Sequence, residues 1–113
     1  MDAINWFNEV PFAVTVCNKE GIILEMNEKS AVTFVKDGGK ELVGKSLLDC
    51  HPEKARQQIL EMMRSESVNV YTIEKNGKKK LIYQSPWYQN GIFGGLVELS
   101  IELPDEIPHF VRG

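Results

Sequence analysis

Apolar and polar positions are patterned most clearly between residues 78 and 102, KKKLIYQSPWYQNGIFGGLVELSIE. Apolar runs at 81–87 and 92–101 flank Gln89-Asn90-Gly91. Asn and Gly both accommodate the positive φ of a tight primed turn, so the stretch predicts a β-hairpin. In the second run Phe93, Val97, Leu99 and Ile101 share one parity, and Ile92 and Leu96 the other. Apolar character on both parities, with Gly94-Gly95 leaving room for a close approach, predicts a central strand. Glu98, Ser100 and Glu102 predict a wetter face on that strand. Residues 68–75 alternate as a further strand, and Asn76-Gly77 is a second turn of the same kind. Three consecutive antiparallel strands therefore occupy 68–102.

Upstream, Asp2 is placed to cap a helix over 3–9 with Ile4, Trp6 and Phe7 on its apolar side, and Pro11 ends it. Residues 12–17 read as a strand with Phe12, Val14 and Val16 on one face and the smaller Ala13, Thr15 and Cys17 on the other. A turn at 18–21 leads to a second strand over 22–26. Asn27 is the natural cap of a helix over 28–34, which Gly38-Gly39 ends; residues 41–44 predict one more turn. Pro52 suits the first position of a helix over 53–64, with Ala55, Ile59, Met62 and Met63 on one face and Lys54, Gln57, Gln58, Glu61 and Arg64 on the other. This order predicts an α+β fold: a five-stranded antiparallel sheet with short helices and one longer helix on one face. The chain divides into an amphipathic helix over 1–10, a body over 11–102 and an extended tail over 103–113.

Composition narrows the partners. The 113 residues suffice for one hydrophobic core. Sixteen acids against thirteen bases give a net charge of -3, which argues against nucleic acid or an anionic membrane as the main partner. Lys78-Lys79-Lys80 is the one dense basic cluster, and beside a turn it reads as solvated. No apolar run reaches the length of a membrane span, and the N-terminus carries acids where a signal peptide needs positive charge. Cys17 and Cys50 make no disulfide framework, so a reducing cytoplasm is the expected home.

The order of elements, carried by PFAVTVC at 11–17, KEGII at 19–23, Met26-Asn27, ELVGKS at 41–46, LDCHP at 48–52 and SPWYQNGIFGGLVEL at 85–99, resembles a PAS (Per-Arnt-Sim) sensory domain. The resemblance covers about residues 4–102, and each motif is weak alone; their order and spacing are the specific signal. The LDCHP region and the closing hairpin are similar to PAS segments of bacterial redox and gas sensors. One departure is Glu102-Leu103-Pro104, where the family often has Asp-Ile-Thr leading into a signalling helix; Pro104 blocks a continuous helix there. With no kinase, cyclase or DNA-binding segment before Gly113, a sensor of this kind is expected to act through a partner or by dimerisation.

The resemblance implies a pocket between the long helix and the sheet, lined by Val14, Val16, Phe34, His51, Ile59, Met63, Tyr83, Trp87 and Leu96. Methionines adapt to irregular ligands and Tyr83 or Trp87 would orient a polar tip. The same residues would equally fill a closed core. Cys50-His51 pairs a thiol with an imidazole near a helix start, a pattern for metal binding or nucleophilic chemistry. Adjacent side chains rarely converge, and two ligands fall short of a zinc set, so a loop thiol and a capping or surface imidazole are the plainer reading. Haem is disfavoured, because only His51 lies near the long helix and it separates Cys50 from Pro52. The flavin signature Asn-Cys-Arg-Phe-Leu is absent, and no catalytic triad or phosphate loop is visible.

Trp6, Phe7 and Ile4 predict a helix that covers the open sheet face of its own chain or of a neighbour, favouring a homodimer. Ile107, Phe110 and Val111, between prolines, make the tail either a strap on the body or a partner, or a frayed end. Three functional readings follow. The first is a cytoplasmic, non-enzymatic signalling module that binds an unidentified small molecule and acts through dimerisation or a signalling partner protein. The second is an interaction adaptor with a closed core, and the third a redox protein using Cys50.

Overall fold

The computed structural model describes residues 4–113, with Cys50 described through its backbone only. Elements follow in the order α1 (Trp6–Glu9), β1 (Ala13–Asn18), β2 (Ile23–Met26), α2 (Glu28–Thr33), three 3-10 turns (Val35–Asp37, Gly39–Leu42, Leu47–Cys50), α3 (Glu53–Ser65), β3 (Asn69–Lys75), β4 (Lys78–Gln89) and β5 (Ile92–Glu102). The five strands form one antiparallel sheet in the order β2-β1-β5-β4-β3, the α+β architecture the pattern predicts. Among the described residues, no helix is long and apolar enough to cross a membrane.

Both Asn-Gly pairs make the predicted turns. Asn76 and Asn90 have φ of 54° and 53°, followed by Gly77 and Gly91 at 76° and 81°, the left-handed pair a type I′ hairpin requires. The turns set the register of β3, β4 and β5, and so which parity faces which side. Pro86 is tolerated inside β4 because β3 ends at Asn69, opposite Gln84, and leaves β4 with a single neighbour there.

Asn27 joins the two halves of the fold. Its Oδ1 accepts from Ser30 N as the helix cap of α2 and from Val14 N of β1, each at 2.9 Å. Its Nδ2 donates to Phe7 O at 2.9 Å and Phe12 O at 3.0 Å. Two acceptances and two donations spend the working capacity of the amide, which is why it tolerates complete burial.

Several boundaries differ from the pattern. The N-terminal helix begins at Trp6 after Asn5, not at residue 3; Asp2 and Ala3 lie outside the described residues. α2 ends at Thr33 and Phe34 becomes its C-cap, where the chain tightens into the 3-10 turn Val35–Asp37 before Gly38 and Gly39 take positive φ. Pro52 is the N-cap of α3, with ψ of 160°, one position earlier than expected. That helix closes on Glu66 in the left-handed region at φ 52°, a conformation sequence pattern assigns to Gly or Asn. The tail is held at its start by Leu103 N donating to Lys79 O at 2.9 Å. Its apolar residues Ile107, Phe110 and Val111 are exposed.

The core lies between the β1–β2–β5 side of the sheet and the helices. Cys17, Ile59, Met62 and Leu96 form one cluster, with Leu47, Leu48 and Met63 against it. Ile23, Met26 and Leu42 form another, bordered by Phe34 and Leu47. These clusters leave the β3–β4 side of the helix-facing surface open.

Candidate functional site

A cleft of about 790 Å³ opens between that helix-facing surface and α2, α3 and the 3-10 turns. Its inner end is apolar: Cys17 and Leu96 from the sheet meet Ile59 and Met62 from α3. Its floor is polar. Thr15, Glu98, Gln84 and Asn69 lie opposite one another on β1, β5, β4 and β3, a row across four strands on the same side. Ala13, Ser100, Ile82 and Tyr71 form the adjacent row. Lys36, Asp37, Lys75 and Lys80 complete the wall where the cleft meets solvent.

Hydrogen bonds tie the polar row together. Asn69 Nδ2 donates to Gln84 Oε1 at 3.0 Å, and Gln84 Nε2 donates to Glu98 Oε2 at 2.8 Å. The Thr15 hydroxyl pairs instead with that of buried Ser30 on α2. The Glu98 charge reaches its neighbours. Burial pushes the Tyr71 hydroxyl above its ordinary pKa, and the Glu98 carboxylate adds to the effect. Burial also raises the Cys17 thiol; a backbone hydrogen bond from Leu96 opposes this and Glu98 reinforces it.

The wetter parity of β5 thus faces the helices. Register dictates this. Leu96 must pair with Cys17 at the apolar end, so Glu98 and Ser100 follow it into the cleft, while Leu99 turns to the opposite side of the sheet. The small and polar parity of β1 (Ala13, Thr15, Cys17) belongs to the same side, and that small-residue row was the available signal for a cavity.

Of the residues expected to line a pocket, Phe34, His51, Ile59 and Leu96 stand in the cleft wall. Val14 and Tyr83 alternate to the opposite side of the sheet, in a row with Leu99 and Val70, and Val16 shares their parity. They are displaced from the expected lining because Thr15 and Gln84 hold the cleft side. Met63 packs on the inner cluster near Gly21 and does not reach the wall. Trp87 is used structurally, its indole N–H donating to Cys17 O at 2.9 Å. Pattern reasoning passed over Asn69, Gln84 and Glu98, because a polar residue on an alternating strand reads as solvent-facing.

His51 Nδ1 sits 2.7 Å from Leu47 O. The tautomer that donates there leaves Nε2 as an acceptor at the cleft wall. The Cys50 side chain, the thiol of the redox reading, lies outside the described residues. Among the described residues, no group of three or more His, Cys, Asp or Glu is arranged to hold a metal.

A family model described as the PAS fold matches residues 7–65, more than half of the chain. No curated protein matches it. Among solved structures, a C-terminal domain from Streptococcus mutans aligns with a TM-score of 0.69 at 22% identity, covering 85% of this chain and 78% of that one. The Aer2 receptor of Vibrio cholerae, a dual PAS-haem oxygen sensor, aligns at 0.61 with 18% identity, covering 82% of this chain and 95% of its own. The VqmA dimer of Vibrio cholerae, discussed among LuxR-type receptors, aligns at 0.67 with 13% identity, covering 96% of this chain and 55% of that one. At these identities the likeness is one of fold.

Proposed function

Because the chain belongs to the PAS family, we propose that it is a sensory module that binds a small molecule in the cleft beneath its helices and acts through a homodimer or a partner protein. The observation that carries this reading is the cleft itself. About 790 Å³ with an apolar end and a polar floor is in the range of small-ligand sites. An open cleft weighs against the adaptor with a closed core. The proposed action is non-catalytic, and a cytoplasmic setting accords with a free, buried thiol at Cys17.

A signal requires that a ligand contact two states of the protein differently. The sheet is the natural transmitter in this proposal. Glu98 and Gln84 face the cleft, and Leu99 and Tyr83, their neighbours along β5 and β4, face the opposite side of the sheet. There Tyr83 is 38% exposed and Val70 48%, an apolar surface suited to a second copy or a partner.

Native mass spectrometry and an absorption spectrum of the protein purified from cells test the reading. A reproducible mass excess or a visible band supports it, and a Soret band would single out His51 as the iron-ligand candidate. A bare chain whose cleft amides also fail to shift with any added small molecule would overturn it.

A further inference from the structure

The hydrogen bonds of the polar row all run one way. Asn69 donates to Gln84 and Gln84 donates to Glu98, so both amides are oriented toward the carboxylate. An ionised carboxylate offers about four lone-pair sites, and among the described residues this one receives a single side-chain bond, at Oε2. Among the described residues no lysine or arginine forms an ion pair with Glu98. Its β1 neighbour Thr15 has its hydroxyl engaged by Ser30. The row therefore ends in an acceptor with capacity left over, directed at the cleft. Two residues along the same face of β5, Leu96 opens the apolar end with Ile59 and Met62.

We infer, building on the small-molecule reading above, that the cleft selects a compact amphiphile whose polar end donates hydrogen bonds from N–H groups to Glu98 and whose apolar part rests on Leu96, Ile59 and Met62. The class comprises amines, amidines and amides with a small hydrocarbon or aromatic body. A carboxylate of the same shape would place like charges together at Glu98 and leave its lone pairs unmatched. The lysines of the cleft do not reverse this preference. Lys80 lies opposite Glu102, four residues along β5 from Glu98, and Lys36 and Lys75 are exposed.

Four probes of one shape decide the matter: benzamidine, benzamide, benzoate and toluene, each titrated into isotopically labelled protein. Amide shifts of Gln84, Leu96 and Glu98 are the readout. Benzamidine and benzamide are expected to bind at least about tenfold tighter than benzoate. Glu98→Gln is expected to bring benzamidine within about threefold of benzoate, with its amide spectrum otherwise folded. Benzoate binding as tightly as benzamidine in the unmodified protein, or an advantage for benzamidine that survives Glu98→Gln, overturns the donor preference while leaving the cleft a small-molecule site. Silence from all four probes, toluene included, overturns the small-molecule reading and the preference together. Should Glu98→Gln fail to fold, the ranking in the unmodified protein still decides.

Discussion

Trp87 donates its indole N–H to the backbone carbonyl of Cys17, 2.9 Å away and 70 positions earlier in the chain. The bond spans β5, and β5 permits it through two glycines. A Cβ on Gly94 would overlap the Trp87 ring, and one on Gly95 would overlap the Cys17 carbonyl and the Asn18 backbone. Gly95 also holds φ of 148°, which side-chain-bearing residues rarely adopt. Leu96 and Cys17, which pair across β5 and β1 at the apolar end of the cleft, are the chain neighbours of this arrangement.

Gly95→Ala is accordingly expected to destabilise the fold by about 3 kcal/mol or more, since backbone strain and overpacking each cost about 1–3 kcal/mol. Urea unfolding followed by tryptophan fluorescence reads it. Trp87→Phe loses the donor and part of the ring that packs over Gly94, for an expected loss of about 1–3 kcal/mol. A Gly95→Ala protein as stable as the parent would show that the strands separate here without penalty.

Asn27 supplies a second test. Asn27→Ala strands the Val14 and Ser30 amides and the Phe7 and Phe12 carbonyls at once. An expected cost of about 3–5 kcal/mol follows from several buried groups left unpaired. Ser30→Ala removes the hydroxyl pair with Thr15 alone and should cost about 1 kcal/mol. Equal midpoints for the two variants would contradict the role of Asn27 as a four-way joint.

Cys17 gives a pH dependence with a definite sign. Its folded pKa is raised above the ordinary 9.0, chiefly by burial. Above pH 9.0 an unfolded thiol releases its proton while the folded one keeps it, so the folded state binds more protons. Stability then falls as pH climbs from that value toward the folded pKa, and is unaffected by this group at lower pH. Unfolding midpoints measured from pH 8 to 11 should decline more steeply in the parent than in Cys17→Ala, whatever the offset between them. Parallel curves would mean that the thiol ionises in place.

The sheet face opposite the cleft, where Val70 and Tyr83 are exposed, bears on the proposed homodimer. A native mass of twice 12.8 kDa is expected, falling to the single-chain mass when Val70 and Tyr83 are both changed to lysine. Because both residues face away from the cleft, binding of benzamidine should persist in that variant. Retention of the dimer would move the interface elsewhere, to α1 or the tail.

Local chemistry made much of this fold legible in the sequence. Asn76-Gly77 and Asn90-Gly91 announce their hairpins because few other pairs accept two successive left-handed residues. Asn27 announces a helix start because its side chain mimics the missing acceptor of the first turn. The amphipathic stripe of α3 follows from its 3.6-residue period, with Ile59 and Met62 buried. Such features depend on neighbours within a few residues, and a sequence displays those directly.

Only the tertiary structure decided which face of the sheet the helices cover. Alternation divides a strand into two faces without saying which is inside, and polar residues on one parity look like a solvent face. The pairing of Cys17 with Leu96, 79 positions apart by their numbers, carries Glu98, Gln84 and Asn69 beneath the helices and sends Val14 and Tyr83 to the other side. That assignment depends on cross-strand register and on a cleft left unfilled between distant elements. Both are properties of the assembled packing, whose energies sum over contacts no local stretch contains.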